Sequence, residues 1–361
     1  MITLYIGSTA PYAGKSALCV GLTRSFQKDG YTVGYMRPVT VTKTYIGECV
    51  VDEEAELMRQ TLRLTDPVAA IWPVCLDPPT VEAILRGERE NYEKLIKDAF
   101  VQVSRGKDIV LLEGGSRCAQ GLAAGLPWGE ITDLLQAKVL VVDKYDVSTV
   151  TVVDDLLACK QRLGSRLRGV VLNAVPRHQL DFVEHVVVPF LIAHDVPVYA
   201  TLPLERIFSS VSVGEFAEAL QGRIICRADL ADQLIENLSI GAMSVDSALT
   251  YFRHKLNKAV ITGGDRPDIQ LAAIETSTKC LILTGNLHPS PLILSRAEES
   301  GVAIILVKHD TMTTVQLSEQ VFSKTRFHHE KKIARFERML GERFDFARLY
   351  DELGLQRGQP A

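Results

Sequence analysis

In the first part of the chain, apolar residues run together without alternation at Ile2–Ile6, Thr32–Met36, Asp108–Leu112, Lys138–Val142, Gly169–Leu172 and Val196–Ala200. Short runs rich in Val, Ile and Leu predict strands covered on both faces. Between them, apolar positions recur at helical spacing over Ala17–Phe26, Tyr92–Val103, Thr149–Leu163 and Leu180–His194. Strands alternating with helices predict an α/β fold, a parallel sheet with helices on both faces. Ligands of such sheets bind beyond the carboxyl ends of the strands, so chemistry is expected in the residues just after each run.

The organisation shifts around Ser209–Glu215, where a helix over Val213–Leu220 ends at Gly222. A second, smaller α/β unit is expected beyond it. Its strands read as Leu238–Met243, Lys258–Thr262, Cys280–Thr284 and Val302–Val307, with helices at Val245–Leu256, Asp268–Glu275 and Leu292–Glu299. Gly263-Gly264-Asp265-Arg266-Pro267 joins a strand to a helix, with Asp265 read as the N-cap and Pro267 in the first turn. Arg266 is then left to pair across a subunit interface or to face an anion at that helix start. The tail over Glu330–Leu353 is charged and helical in pattern, and Ile333, Phe336 and Leu340 suit packing along the domain or a second subunit. Three parts are expected: residues 1–212, 213–326 and a helical tail over 327–361.

The first run leads into Gly7-Ser8-Thr9-Ala10-Pro11-Tyr12-Ala13-Gly14-Lys15-Ser16 and then a helix. Strand, small-residue loop, Gly-Lys-Ser and helix is the context of a phosphate loop (P-loop). Backbone N–H groups from Thr9, Ala10, Tyr12, Ala13 and Gly14, with Pro11 shaping the loop, wrap an anion. Lys15 adds a charge between the terminal phosphates, and Ser16 offers a hydroxyl to Mg²⁺. Thr9 stands where the usual first glycine would be. The plainer alternative is a glycine-opened turn with a surface lysine.

Other strand ends add candidates. Glu113, before Gly114-Gly115, reads as a Mg²⁺ ligand or as a carboxylate capping the next turn. Asp52 precedes a helix and reads equally as a metal ligand or an N-cap. The Asn173 amide matches adenine N6 and N7, or forms a turn ahead of Pro176. Pro203, in Leu202-Pro203-Leu204, sits at a strand exit that can close over a base.

Composition narrows the partners. The chain has 361 residues, enough for two cores, and is 47% hydrophobic and 23% charged. A formal charge of -4 gives no reason to expect nucleic acid or a membrane surface. No apolar run approaches a membrane span, and no basic-then-apolar signal pattern opens the sequence, so a cytoplasmic protein is expected. Seven scattered cysteines, an odd number without C-x-x-C, read as reduced thiols rather than a disulfide or zinc framework. His328-His329 reads as a solvated face rather than a ligand pair.

With these residues in view, the first roughly 210 positions resemble dethiobiotin synthetase and the cobyrinic acid amide synthases. The matching features are the loop ending in Gly14-Lys15-Ser16, Arg37-Pro38-Val39 in place of Lys-Pro-Val, Asp52, Glu113-Gly114 and Asn173. The resemblance implies ATP as the nucleotide, Mg²⁺ held by Ser16, Asp52 and Glu113, and a base read by Asn173. Residues from about 215 to 325 resemble the DRTGG domain, through Asp265, Arg266, Thr284 and Gly285, with Asn286 in place of the second glycine. The pair together resembles the N-terminal region of long bacterial phosphate acetyltransferases. Their acetyltransferase catalytic domain has no counterpart in these residues.

Two functions follow. One is an ATP- and Mg²⁺-binding regulatory protein whose DRTGG-like part makes a homodimer or binds an effector near Gly264, Asp265 and Arg266, with a separate metabolic enzyme as a further partner. The other is an ATP-dependent ligase that phosphorylates a carboxylate or carbamate, with Lys15 and Arg37 as its catalytic candidates. Arginine at position 37 keeps its charge and cannot act as a base, which favours the first.

Overall fold

The computed structural model describes residues 1–41, 44–46, 49–51, 53–88, 90–146, 148–323 and 327–356. Asp52, a candidate metal ligand, lies outside the described residues. The chain forms two units, Met1–Leu204 with Phe327–Ala361, and Glu205–Arg326.

In the first unit the apolar runs become β1 (Ile2–Gly7), β2 (Val33–Met36), β3 (Ile109–Glu113), β4 (Lys138–Lys144), β5 (Leu167–Val175) and β6 (Val198–Pro203). They form one parallel sheet in the order β6-β5-β4-β1-β3-β2. Leu4, Tyr5 and Ile6 are all buried although they alternate between the two faces, so both faces are covered, as expected from the unbroken runs. Helices of this unit include α1 (Lys15–Lys28), α2 (Tyr92–Val103), α3 (Trp128–Leu134) and α4 (Thr149–Leu163). Helix α1 turns Leu18, Val20, Leu22 and Phe26 inward and stops at Asp29, before Gly30 at φ +91°. The helical pattern at Leu180–His194 is interrupted: a π segment, Val183–Val187, lies between Leu180–Phe182 and Val188–Ala193. Pro189, the second residue of Val188–Ala193, has no N–H to donate to the regular ladder.

The second unit is the expected smaller α/β layer structure, and among the described residues its main sheet has five strands, one more than expected. The strands of this sheet are β7 (Arg223–Cys226), β8 (Asn237–Ile240), β9 (Lys258–Gly263), β10 (Thr278–Thr284) and β11 (Ala303–Leu306), in the order β7-β11-β10-β9-β8. Within this sheet only β7, an edge strand, runs antiparallel to its neighbour. Helices α5 (Val213–Ala219), α6 (Val245–His254), α7 (Pro267–Ile274), α8 (Pro291–Ser300) and α9 (Thr311–Ser323) cover the sheet. Ala259 and Ile261 pack with Phe216 on one face, while Val260 packs with Phe252 and Ile269 on the other.

The tail belongs to the first unit. It is two helices, α10 (Glu330–Arg343) and α11 (Phe346–Leu353), because Asp345 caps a new helix by accepting from the Arg348 N–H at 3.0 Å. Ile333, Phe336 and Leu340 are buried, and a Cβ at Gly21 of α1 would lie 3.3 Å from the Phe336 ring. Tyr350 donates to Asp29 Oδ2 at 2.5 Å, and Lys138 donates to the Glu352 carbonyl at 2.5 Å. Among the described residues no helix is long and apolar enough to cross a membrane.

Candidate functional site

The loop from Ser8 to Gly14 leaves the carboxyl end of β1, which is flanked by β3 and β4. The chain returns to β2 beyond β3 on one side, and to β5 and β6 beyond β4 on the other. This reversal of strand order is where open α/β sheets bind ligands. Gly14 has φ +103°, and the Asn173 amide nitrogen lies 2.5 Å from where its Cβ would be, so backbone conformation and space both call for glycine there. Below the loop, the Trp128 ring fills the space a side chain at Gly7 would need.

Lys15 is 8% exposed, and its ammonium donates to Ser8 Oγ at 2.8 Å and Ser116 Oγ at 3.4 Å. Burial lowers its pKa, opposed by the nearby Glu113 carboxylate. Glu113, 1% exposed, accepts from the Ser16 hydroxyl at 2.9 Å on one oxygen and from the Tyr35 hydroxyl at 2.7 Å on the other. Burial first, then the Glu113 charge, pushes the Tyr35 phenol far up and keeps it a donor. Ser16 and Glu113 are thus hard oxygen donors in direct contact beside the phosphate loop, a donor set that fits Mg²⁺. Among the described residues no group of three or more His, Cys, Asp or Glu could hold a metal alone. Phosphate oxygens and water would supply the remaining ligands.

Asn173 lies across the loop. Its amide donates to the Ala13 carbonyl at 2.8 Å, and its Oδ1 accepts from the Ala174 N–H at 2.9 Å. One amide N–H and one oxygen lone pair remain beyond these two bonds. Pro203 is buried at the end of β6, beside Val175 on β5. Thr9 and Ala10 are half-buried, Pro11 and Tyr12 are exposed, and Ala13 is buried. Arg37 is engaged at short range: its Nη1 donates to Glu54 Oε2 at 2.5 Å.

Other polar groups of this site were not singled out in the sequence. Ser8 and Ser116 hold Lys15, Tyr35 holds Glu113, and Glu54 neutralises Arg37. Asp143, near the end of β4, is 2% exposed, and burial, helped by Asp155, pushes its carboxyl up to about 6. The Thr9 hydroxyl is near enough to oppose that shift, yet neither it nor Asp143 Oδ2 has a partner at good hydrogen-bond geometry. The signal for Asp143 was its place just after the run Lys138–Val142.

In the second unit, Asp265–Arg266 and Thr284–Gly285 meet at the carboxyl ends of β9 and β10, where Gly263 pairs with Thr284. The helix start differs from the sequence expectation. Arg266, not Asp265, is the N-cap residue, because Pro267 takes the first helical position. The Arg266 guanidinium donates to both Asp268 oxygens at 3.0 and 2.9 Å and to the Met243 carbonyl at 3.2 Å, so it is already paired. Gly264 serves packing: a Cβ there would lie 2.5 Å from Leu287 Cβ. A cleft of about 550 Å³ lies nearby, lined by Ile240, Met243, Tyr251, Phe252, Lys255 and Phe322 among others.

Residues 2–211 match the family model described as AAA domain, and residues 215–321 match the DRTGG domain. A phosphate acetyltransferase of Nitrosomonas europaea is 23% identical over 308 residues, covering 81% of this chain and 43% of that protein. One from Pseudomonas aeruginosa is 22% identical over 382 residues, covering 99% of this chain and 53% of the relative. An ATP-dependent dethiobiotin synthetase of Caldicellulosiruptor saccharolyticus is 25% identical over 117 residues, 32% of this chain and 48% of that protein. The chain thus spans about half the length of the phosphate acetyltransferases it matches.

Proposed function

We propose that this chain, which belongs to the AAA domain family and carries a DRTGG domain after it, is a regulatory protein that binds ATP with Mg²⁺ in its first unit. The observation that carries the reading is the joined set Lys15–Ser8–Ser116 and Ser16–Glu113–Tyr35 at the mouth of the phosphate loop. The loop and the first turn of α1 cradle phosphates, and Lys15 leaves its two serine partners for them. Ser16 and Glu113 hold Mg²⁺, with Asp52 as the expected third ligand. The remaining donor and acceptor of Asn173 face the base, and Pro203 closes over it.

The regulatory part of the reading rests on two features. Arg37, the position that would serve a ligase, is neutralised by Glu54. Large apolar side chains of the second unit, Tyr251 and Ile240, are exposed and line one cleft, which suits joining two copies. An effector and a separate metabolic enzyme complete this role.

Thermal unfolding with and without ATP and Mg²⁺ tests the binding. A ligand bound by the native state alone at a hundred times its Kd adds about 2.7 kcal/mol, so Tm rises by several degrees. Lys15→Ala removes the rise while leaving the ligand-free Tm close to wild type. A mutant that keeps the full rise moves the site elsewhere. Rapid ATP-dependent carboxylation or amidation of a small acid would replace regulation with ligation.

A further inference from the structure

The segment after Glu113 carries a second chemistry. Cys118 Sγ lies 2.8 Å from Cys159 Sγ, across from the segment to α4. A disulfide needs about 2.05 Å, so closure asks for less than ~1 Å of movement. Both thiols are free, Cys118 half-buried and Cys159 3% exposed. The segment of Cys118 also reaches the phosphate loop: Ser116 Oγ accepts from Lys15, and the Ser116 N–H donates to Gln120 at 2.8 Å. The Cys118 carbonyl accepts from the Trp128 N–H at 3.4 Å, and Trp128 underlies Gly7.

We propose that Cys118 and Cys159 form a reversible dithiol–disulfide site that, when oxidised, fixes the segment 116–126 to α4 beside the phosphate loop. The oxidant is a peroxide. The more exposed Cys118 attacks it first, as thiolate, giving a sulfenic acid and one water. Cys159 then attacks the Cys118 sulfur, the S–S bond forms, and the sulfenic oxygen leaves as a second water. Two thiols lose two electrons and two protons in all, and the peroxide O–O bond is reduced. A dithiol reductant reverses the bond by exchange. The surroundings fit this order: the contact with Cys159 first, and the Arg162 charge after it, favour thiolate at Cys118, while the contact with Cys118 and burial push the Cys159 thiol up. The closed geometry is nearly the one already present, so oxidation secures the segment where it lies.

The test uses the full chain, reduced and then titrated with hydrogen peroxide, with peptide mapping under non-reducing conditions. The expected product is a joined peptide pair containing Cys118 and Cys159, two hydrogens lighter than the thiol forms and restored by dithiothreitol. In Cys159→Ser the reaction stops at a Cys118 sulfenic acid that dimedone captures. Amide hydrogen exchange across residues 116–126 slows about tenfold or more in the oxidised chain. Sulfinic acid at Cys118 with Cys159 still free, at the first equivalents of peroxide, overturns the proposal. So does a disulfide that leaves the exchange of that segment unchanged.

Discussion

Burial near the end of β4 sets the charge of Asp143. Its carboxyl sits at about 6 in the folded chain, against about 3.9 for an unburied aspartate. The folded state therefore holds this proton more tightly than the unfolded state. The stability it contributes is complete below about pH 4 and is lost as pH rises through about 6, a difference of about 3 kcal/mol. Asp143→Asn is expected to raise Tm by several degrees at pH 8 and to match wild type near pH 4. A Tm difference that is flat with pH would assign the effect to shape rather than charge. Glu113 was legible because it ends an apolar run before two glycines, a pattern that lies within one short stretch. Its partner Tyr35 was not, since that tyrosine sits inside another run. Its hydroxyl reaches Glu113 only through the pairing of β2 with β3, which no local pattern encodes. Arg266 misled for a different reason: its pairing with Asp268 depends on which residue caps α7, and the proline one position later decided that.

At the scale of elements, α10 shows what periodicity can and cannot say. Ile333, Phe336 and Leu340 recur at helical spacing, which predicted a buried stripe. The receiving surface is made by an absence, the missing side chain of Gly21, and an absence on one helix does not announce its partner on another. Leu340→Ala is expected to cost about 2–5 kcal/mol, because the side chain is 1% exposed and leaves a cavity against α1. Chemical denaturation of the two proteins measures it, and a loss below ~1 kcal/mol would mean that α10 is loosely seated. The edge strand β7 was not legible because its apolar run, Ile224-Ile225-Cys226, is only three residues long and follows Arg223.

For the whole molecule, the expected homodimer becomes a measurement on the full chain. Sedimentation across micromolar concentrations should show a dimer, and Tyr251→Glu, changing a side chain 62% exposed, should shift it to monomer. A wild-type chain that sediments as a monomer throughout removes this part of the proposed role. The two α/β layers were legible in order, because each alternates strand and helix over consecutive residues. The return of Phe327–Ala361 to the first unit was not, because reading along a chain treats neighbours in sequence as neighbours in space. That return matters while the protein is being made. The phosphate loop and all of the first sheet are translated before residues 205–326, yet Phe336 and Leu340, which pack at Gly21 of α1, are made only after them. Throughout the synthesis of the inserted unit, the surface of α1 around Gly21 lacks the partner it has in the folded chain, so slower translation after Arg326 would lengthen that interval.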